Sequence, residues 1–111
     1  MLKKENFVHN YHYVEIIGTF FEKEKKALKL FCEENREIVF DNIIQFEINF
    51  FSDQNIIFDI YLYAKKNIPD TLINDYPFLD NYKNGKIEVL CYYIESSVGL
   101  SGIIICSANN K

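Results

Sequence analysis

A chain of 111 residues that is 49% apolar, with only four glycines and two prolines, has the size and composition of one folded domain. That composition excludes a disordered chain or a loop-rich scaffold. The formal charge of −4 argues against nucleic-acid binding, whose affinity comes mainly from lysines and arginines set against phosphates. The surplus is uneven: residues 1–36 hold seven Lys/Arg against six Asp/Glu, whereas residues 37–111 hold five against ten.

In chain order, the first pattern is helical. Phe7, Tyr11, Val14, Ile17, Phe21, Leu28 and Phe31 recur at three- and four-residue steps over 6–35, and Glu22–Lys26 and Lys29–Glu33 are spaced as i,i+4 ion pairs. Residues 20–34 are the core of this expected helix. The stretch before it is weaker, because Val14, Ile16, Ile17 and Thr19 are β-branched and Gly18 costs about 1 kcal/mol inside a helix. A break at Gly18-Thr19, or a strand over 11–17, is the alternative.

Asn35-Arg36 ends that segment, and residues 37–40 form a short apolar stretch before the turn residues Asp41-Asn42. Residues 43–66 then hold two alternations of strand period. Ile44, Phe46, Ile48 and Phe50 face away from Gln45, Glu47 and Asn49. Ile56, Phe58, Ile60, Leu62 and Ala64 face away from Ile57, Asp59, Tyr61 and Tyr63. With Ser52-Asp53-Gln54-Asn55 between them, they predict an antiparallel hairpin with a four-residue connection.

Residues 67–83 hold both prolines and no clean period, which predicts a surface excursion with one helical turn near 70–74. Asn84-Gly85 marks a turn, followed by strands over 87–95 and 102–107. Ile103-Ile104-Ile105-Cys106 is apolar on successive residues, as in a central strand covered on both faces. The expected fold is α+β: an N-terminal helix or helix pair packed on a mostly antiparallel sheet of four or five strands, in one domain spanning 1–111.

No apolar run nears the roughly 18–20 residues of a membrane-spanning helix, and no apolar leader core follows Met1-Leu2-Lys3-Lys4-Glu5, so a cytoplasmic location is expected. Cys32, Cys91 and Cys106 are odd in number, widely spaced and flanked by apolar residues. They are expected as reduced core thiols, not as disulfides or zinc ligands.

Four patterns carry residue types suited to chemistry. His9 and His12 at i,i+3, with Glu15 at the next step, are metal-ligand types, but the spacing is not that of the metalloprotease helix and no further ligand is apparent. A solvated face explains them better. Asp41, Glu47, Asp53, Asp59, Asp70, Asp75, Asp80, Glu88 and Glu95 offer carboxylates, yet spacing selects no acid–base pair. Residues 96–102 resemble a phosphate loop without its lysine or its strand-loop-helix order, so a hairpin connection fits better. Cys91 and His12 would form a nucleophile and base only if the fold joined them. No catalytic residue, metal site or cofactor is expected.

The aromatic content is distinctive, with eight Tyr, ten Phe and no Trp. The phenylalanines fall mostly on inward alternations. Several tyrosines, Tyr93 among them, fall instead on outward strand positions or in the long loop, beside carboxylates. The expected partner-binding set is Asp59, Tyr61, Tyr63, Asp70, Asp75, Tyr76, Asp80, Tyr82, Glu88 and Tyr92. Tyrosine gives interface area at little rotamer cost, and acids around it would speed capture of a basic partner. Sheet-edge packing would account for the same residues.

In general character the chain resembles the immunity proteins of bacterial contact-dependent growth inhibition and related polymorphic toxin systems: about a hundred residues, acidic, without a catalytic motif and skewed toward Ile, Phe, Tyr, Asn and Lys. The resemblance implies a small inhibitor that occludes a basic protein toxin, a nuclease in the simplest case, without turnover. It carries over no functional residue. The alternative is a ligand-binding or homodimeric interaction module that pairs through its tyrosine face, with a loop-built hydrolase a more distant third.

Overall fold

The segment with helical spacing is a β-meander. In the computed structural model, which describes residues 11–108, β1 (Ile16–Glu22), β2 (Ala27–Cys32) and β3 (Arg36–Phe40) form a three-stranded antiparallel sheet. The expected N-terminal helix is therefore corrected, and its first residues, 6–10, lie outside the described residues. β-branched and aromatic side chains prefer a pleated surface, and Ile16, Ile17, Thr19, Phe20 and Phe21 follow one another. Lys23 to Lys26 form the first turn, with Lys26 at positive φ, and Glu33 to Asn35 the second, with Glu34 and Asn35 at positive φ. Glu22 pairs not with Lys26 but with Lys25 (3.8 Å) and, across the sheet, with Lys29 (3.4 Å).

The second sheet has four antiparallel strands in the order β4-β7-β6-β5, with β4 (Ile43–Asn49), β5 (Ile56–Ala64), β6 (Val89–Val98) and β7 (Ser101–Ser107). The expected hairpin of β4 with β5 is also corrected. These strands sit on opposite edges, and the β6–β7 hairpin fills the space between them. The reason lies in Ile103 to Cys106, all buried: a strand apolar on both faces takes the centre.

Two irregularities re-aim the expected alternations. A register shift between Ile43 and Gln45 leaves Ile44 42% exposed. Shifts between Ile56 and Asp59 turn Ile57 and Ile60 both inward and expose Phe58.

The meander packs on one face of the four-stranded sheet, where Leu28, Leu30, Ile38 and Phe40 meet Ile60, Ile94, Ile104 and Cys106. The other face receives the 65–83 segment, made of a 3-10 turn (Lys65–Asn67), α1 (Asp70–Asp75) and α2 (Leu79–Lys83). Ile68, Leu72, Tyr76 and Leu79 from this segment bury against Tyr63, Val89, Cys91, Ile103 and Ile105. The long connection is a second covering layer, so the helical part comes late in the chain and is short.

Asn55 ties one end of the molecule together. Only 2% exposed, it accepts from the backbone N–H of Ser52 (2.8 Å) and Leu100 (3.0 Å) and donates to the carbonyls of Ser52 (2.8 Å) and Ile16 (3.3 Å). The β6–β7 turn passes so close that a Cβ on Gly99, at φ +82°, would lie 2.2 Å from the Gln54 carbonyl oxygen. Residues 96–102 are thus the end of β6, the Gly99-Leu100 turn and the start of β7, a hairpin connection.

Candidate functional site

Antiparallel register places the polar residues of the helix-side face in rows. Gln45, Ile105, Cys91 and Tyr63 oppose one another in succession across β4, β7, β6 and β5. The helices lie over this row, and the Tyr82 hydroxyl donates to Gln45 Oε1 at 2.7 Å. The next row is Glu47, Ile103, Tyr93 and Tyr61, and beyond it Asp59 stands opposite Glu95. Directly opposed residues share a face. This outer half therefore gathers Asp59, Tyr61, Tyr93, Glu95 and Glu47, none of them fully buried.

The tyrosine rings form a near-parallel set. Tyr61 lies 6.0 Å from Tyr93 at 16° between planes and 6.3 Å from Tyr63 at 20°. The Tyr61 hydroxyl donates to Glu95 Oε1 at 2.9 Å. Burial first, then the Glu95 hydrogen bond and the charges of Glu95 and Asp59, hold the Tyr61 phenol far above its ordinary value. Tyr93 is pushed up to about 12, by burial first and then by the negative field of its neighbours, Glu95 the strongest and Asp75 of α1 among them. Both phenols stay protonated donors at neutral pH.

Of the ten residues expected to bind a partner, Asp59, Tyr61 and Tyr63 share this face, and Asp75 and Tyr76 border it from α1. Tyr63 and Tyr76 are largely covered. The others lie elsewhere. Tyr92 points to the opposite face and packs edge-on against Phe40, with ring centroids 5.0 Å apart. Asp70 pairs with Lys83 (3.4 Å), Glu88 with Lys65 (3.7 Å), Asp80 accepts from Asn84 (2.9 Å), and Tyr82 is committed to Gln45. The ten do not make one surface.

Tyr93, Glu95 and Glu47 belong to the face and were not in the expected set. Either alternation of β6 is apolar enough to be inward, Val89-Cys91-Tyr93 or Leu90-Tyr92-Ile94. Only the pairing with β5 fixes which tyrosine stands beside Tyr61. The acidic Glu95 two residues from Tyr93 was the available signal.

Most of the described lysines gather at one end of the strands. Lys26 and Ile43 are bonded through their backbones, as are Asn42 and Ser107, so the β1–β2 turn, the β3–β4 turn and the helical layer share one end. Lys23, Lys25, Lys26, Lys65, Lys66, Lys83 and Lys86 are all there, interspersed with Glu22, Glu24, Asp41, Asp70, Asp80 and Glu88. The opposite end holds Glu15, Glu33 and Asp53 in mutual interaction. Beside it the 50–55 loop presents Phe50, 77% exposed and at φ +64°, and Phe51.

The Cys91–His12 pairing that a nucleophile and base would need is not formed. Cys91 and Cys106 are buried on opposite faces, and burial pushes each thiol up to about 12, which disfavours the thiolate. His12 is far from Cys91 in the fold. Its Nδ1 contacts the Phe58 carbonyl and lies 3.7 Å from Asp59. His9 lies outside the described residues, and among those described no group of three or more His, Cys, Asp or Glu is arranged to hold a metal. No helix among them is long and apolar enough to cross a membrane. No protein-family model, curated protein or solved structure matches the chain.

Proposed function

We propose that the chain is a non-catalytic binding protein whose acidic tyrosine face captures a basic protein partner. One observation carries this reading: Asp59, Glu95 and Glu47 flank the stacked Tyr61 and Tyr93 on one half-open sheet face, and among the described residues no lysine or arginine is ion-paired to them. Fields of one sign over a fixed surface steer an oppositely charged partner, and the aromatic area supplies the short-range contact.

Together with the resemblance to immunity proteins, this favours an inhibitor that sits in the cytoplasm and covers a basic toxin, such as a nuclease that must itself attract phosphate. The test is co-expression with the toxic product of the neighbouring reading frame. Reversing Glu47, Asp59 and Glu95 to Lys should abolish protection, while reversing Asp70, Asp80 and Glu88 should preserve it. Protection unaffected by the first set would remove this face from the interaction.

A further inference from the structure

Asp59 and Glu95 present a problem that folding alone does not solve. They face each other directly across β5 and β6, where opposed side chains sit about 4.5–5.5 Å apart at Cβ and like charges destabilise the sheet. At the other end, Asp70 and Glu88 each have a lysine of this chain at 3.4 and 3.7 Å. Among the described residues, Asp59 has the His12 imidazole at 3.7 Å, Glu95 has the Tyr61 hydroxyl, and no lysine or arginine is ion-paired to either. The pair adjoins the near-parallel rings of Tyr61 and Tyr93 on the same face.

Building on the binding reading above, we propose that the Asp59–Glu95 pair and the Tyr61–Tyr93 pair together form a receptor for arginine side chains of the partner, in preference to lysine. A guanidinium is planar, offers a fork of donors that matches a carboxylate, and stacks on aromatic faces because it is weakly hydrated. An ammonium is a strongly hydrated point charge and gains mainly the Coulomb attraction. Tyr61 occupies Oε1 of Glu95 and so holds the carboxylate beside the ring; among the described residues this leaves its second oxygen and, beside His12, the Asp59 carboxylate to an external fork. The site thus supplies an anionic edge and an aromatic surface within one side chain's reach.

The experiment titrates the full chain with octa-arginine and with octa-lysine, peptides of equal charge, in low salt. Because the protein has no Trp, binding is followed by tyrosine fluorescence, to which all eight tyrosines contribute. Octa-arginine should bind about tenfold more tightly, the size of about 1.4 kcal/mol of stacking and fork geometry. Tyr61→Leu should erase the preference and leave a weaker, equal affinity for both peptides. Tyr61→Phe keeps the ring and should keep most of the preference, which separates loss of stacking from loss of fold. Asp70→Asn, at the lysine-rich end, should change neither affinity. Equal binding of the two peptides, weakened alike by Glu95→Gln, would overturn the arginine receptor while leaving the acidic face as a binding surface. Failure of both peptides to bind would overturn both.

Discussion

The two faces of the four-stranded sheet are made by the same strands, yet they do different work. Toward the meander, Ile60, Ile94, Ile104 and Cys106 are buried, and Phe40 meets Tyr92 edge-on. Toward the helices, one row is covered and the next is bordered by carboxylates. The closed face holds the fold together by apolar burial. The half-open face keeps Asp59 and Glu95 opposed, at a cost in stability, where a fold selected for stability alone would favour opposite charges or threonines.

That contrast can be broken most strongly at Ile104. Truncation to Ala should cost about 2–5 kcal/mol, read as a lower urea midpoint with an unchanged slope. On the half-open face the sign should reverse. Glu95→Gln or Asp59→Asn relieves a like-charge pair and should raise stability by about 0.2–1 kcal/mol while weakening partner binding. Clear destabilisation by either substitution would mean the carboxylates serve the fold.

The smallest effect concerns pH. Desolvation first, then the charge and hydrogen bond of Glu33 and the charge of Asp53, raise the Glu15 carboxyl above its ordinary 4.5. A carboxyl raised in the folded state contributes stability that is fully present below the ordinary value and is lost as pH climbs through the folded one. The thermal midpoint should therefore decline as pH rises from 4.5 toward neutrality, and Glu15→Gln should flatten that slope. An unchanged slope would place the cause elsewhere.

Much of this was legible in the sequence at the level of single strands. The pattern over 87–95 and 102–107 predicts strands, and the run at Ile103 to Cys106 marks a central one, as found; the apolar stretch at 37–40 is β3. The meander was hidden because Tyr11, Val14, Phe21, Leu28 and Phe31 keep helical spacing even when folded as strands and turns. The β-branched run at 14–19 was the better guide. The hairpin of β4 with β5 failed because alternation says which residues share a face but not which strand is the neighbour. The register shifts at Ile43 and near Phe58 then changed the faces themselves. For the site, Asp59 and Tyr61 were legible from alternation, whereas Tyr93 and Glu95 needed the pairing partner.

The central claim is that the outer half of the helix-side face is where a basic chain docks, and amide chemical-shift mapping tests it most directly. With octa-arginine added to the labelled protein, shifts should concentrate at Glu47, Asp59, Tyr61, Tyr93 and Glu95 and fade with salt. Shifts centred on the acidic end around Glu15, Glu33 and Asp53, or on the helical layer around Asp70 and Asp80, with that face silent, would contradict it.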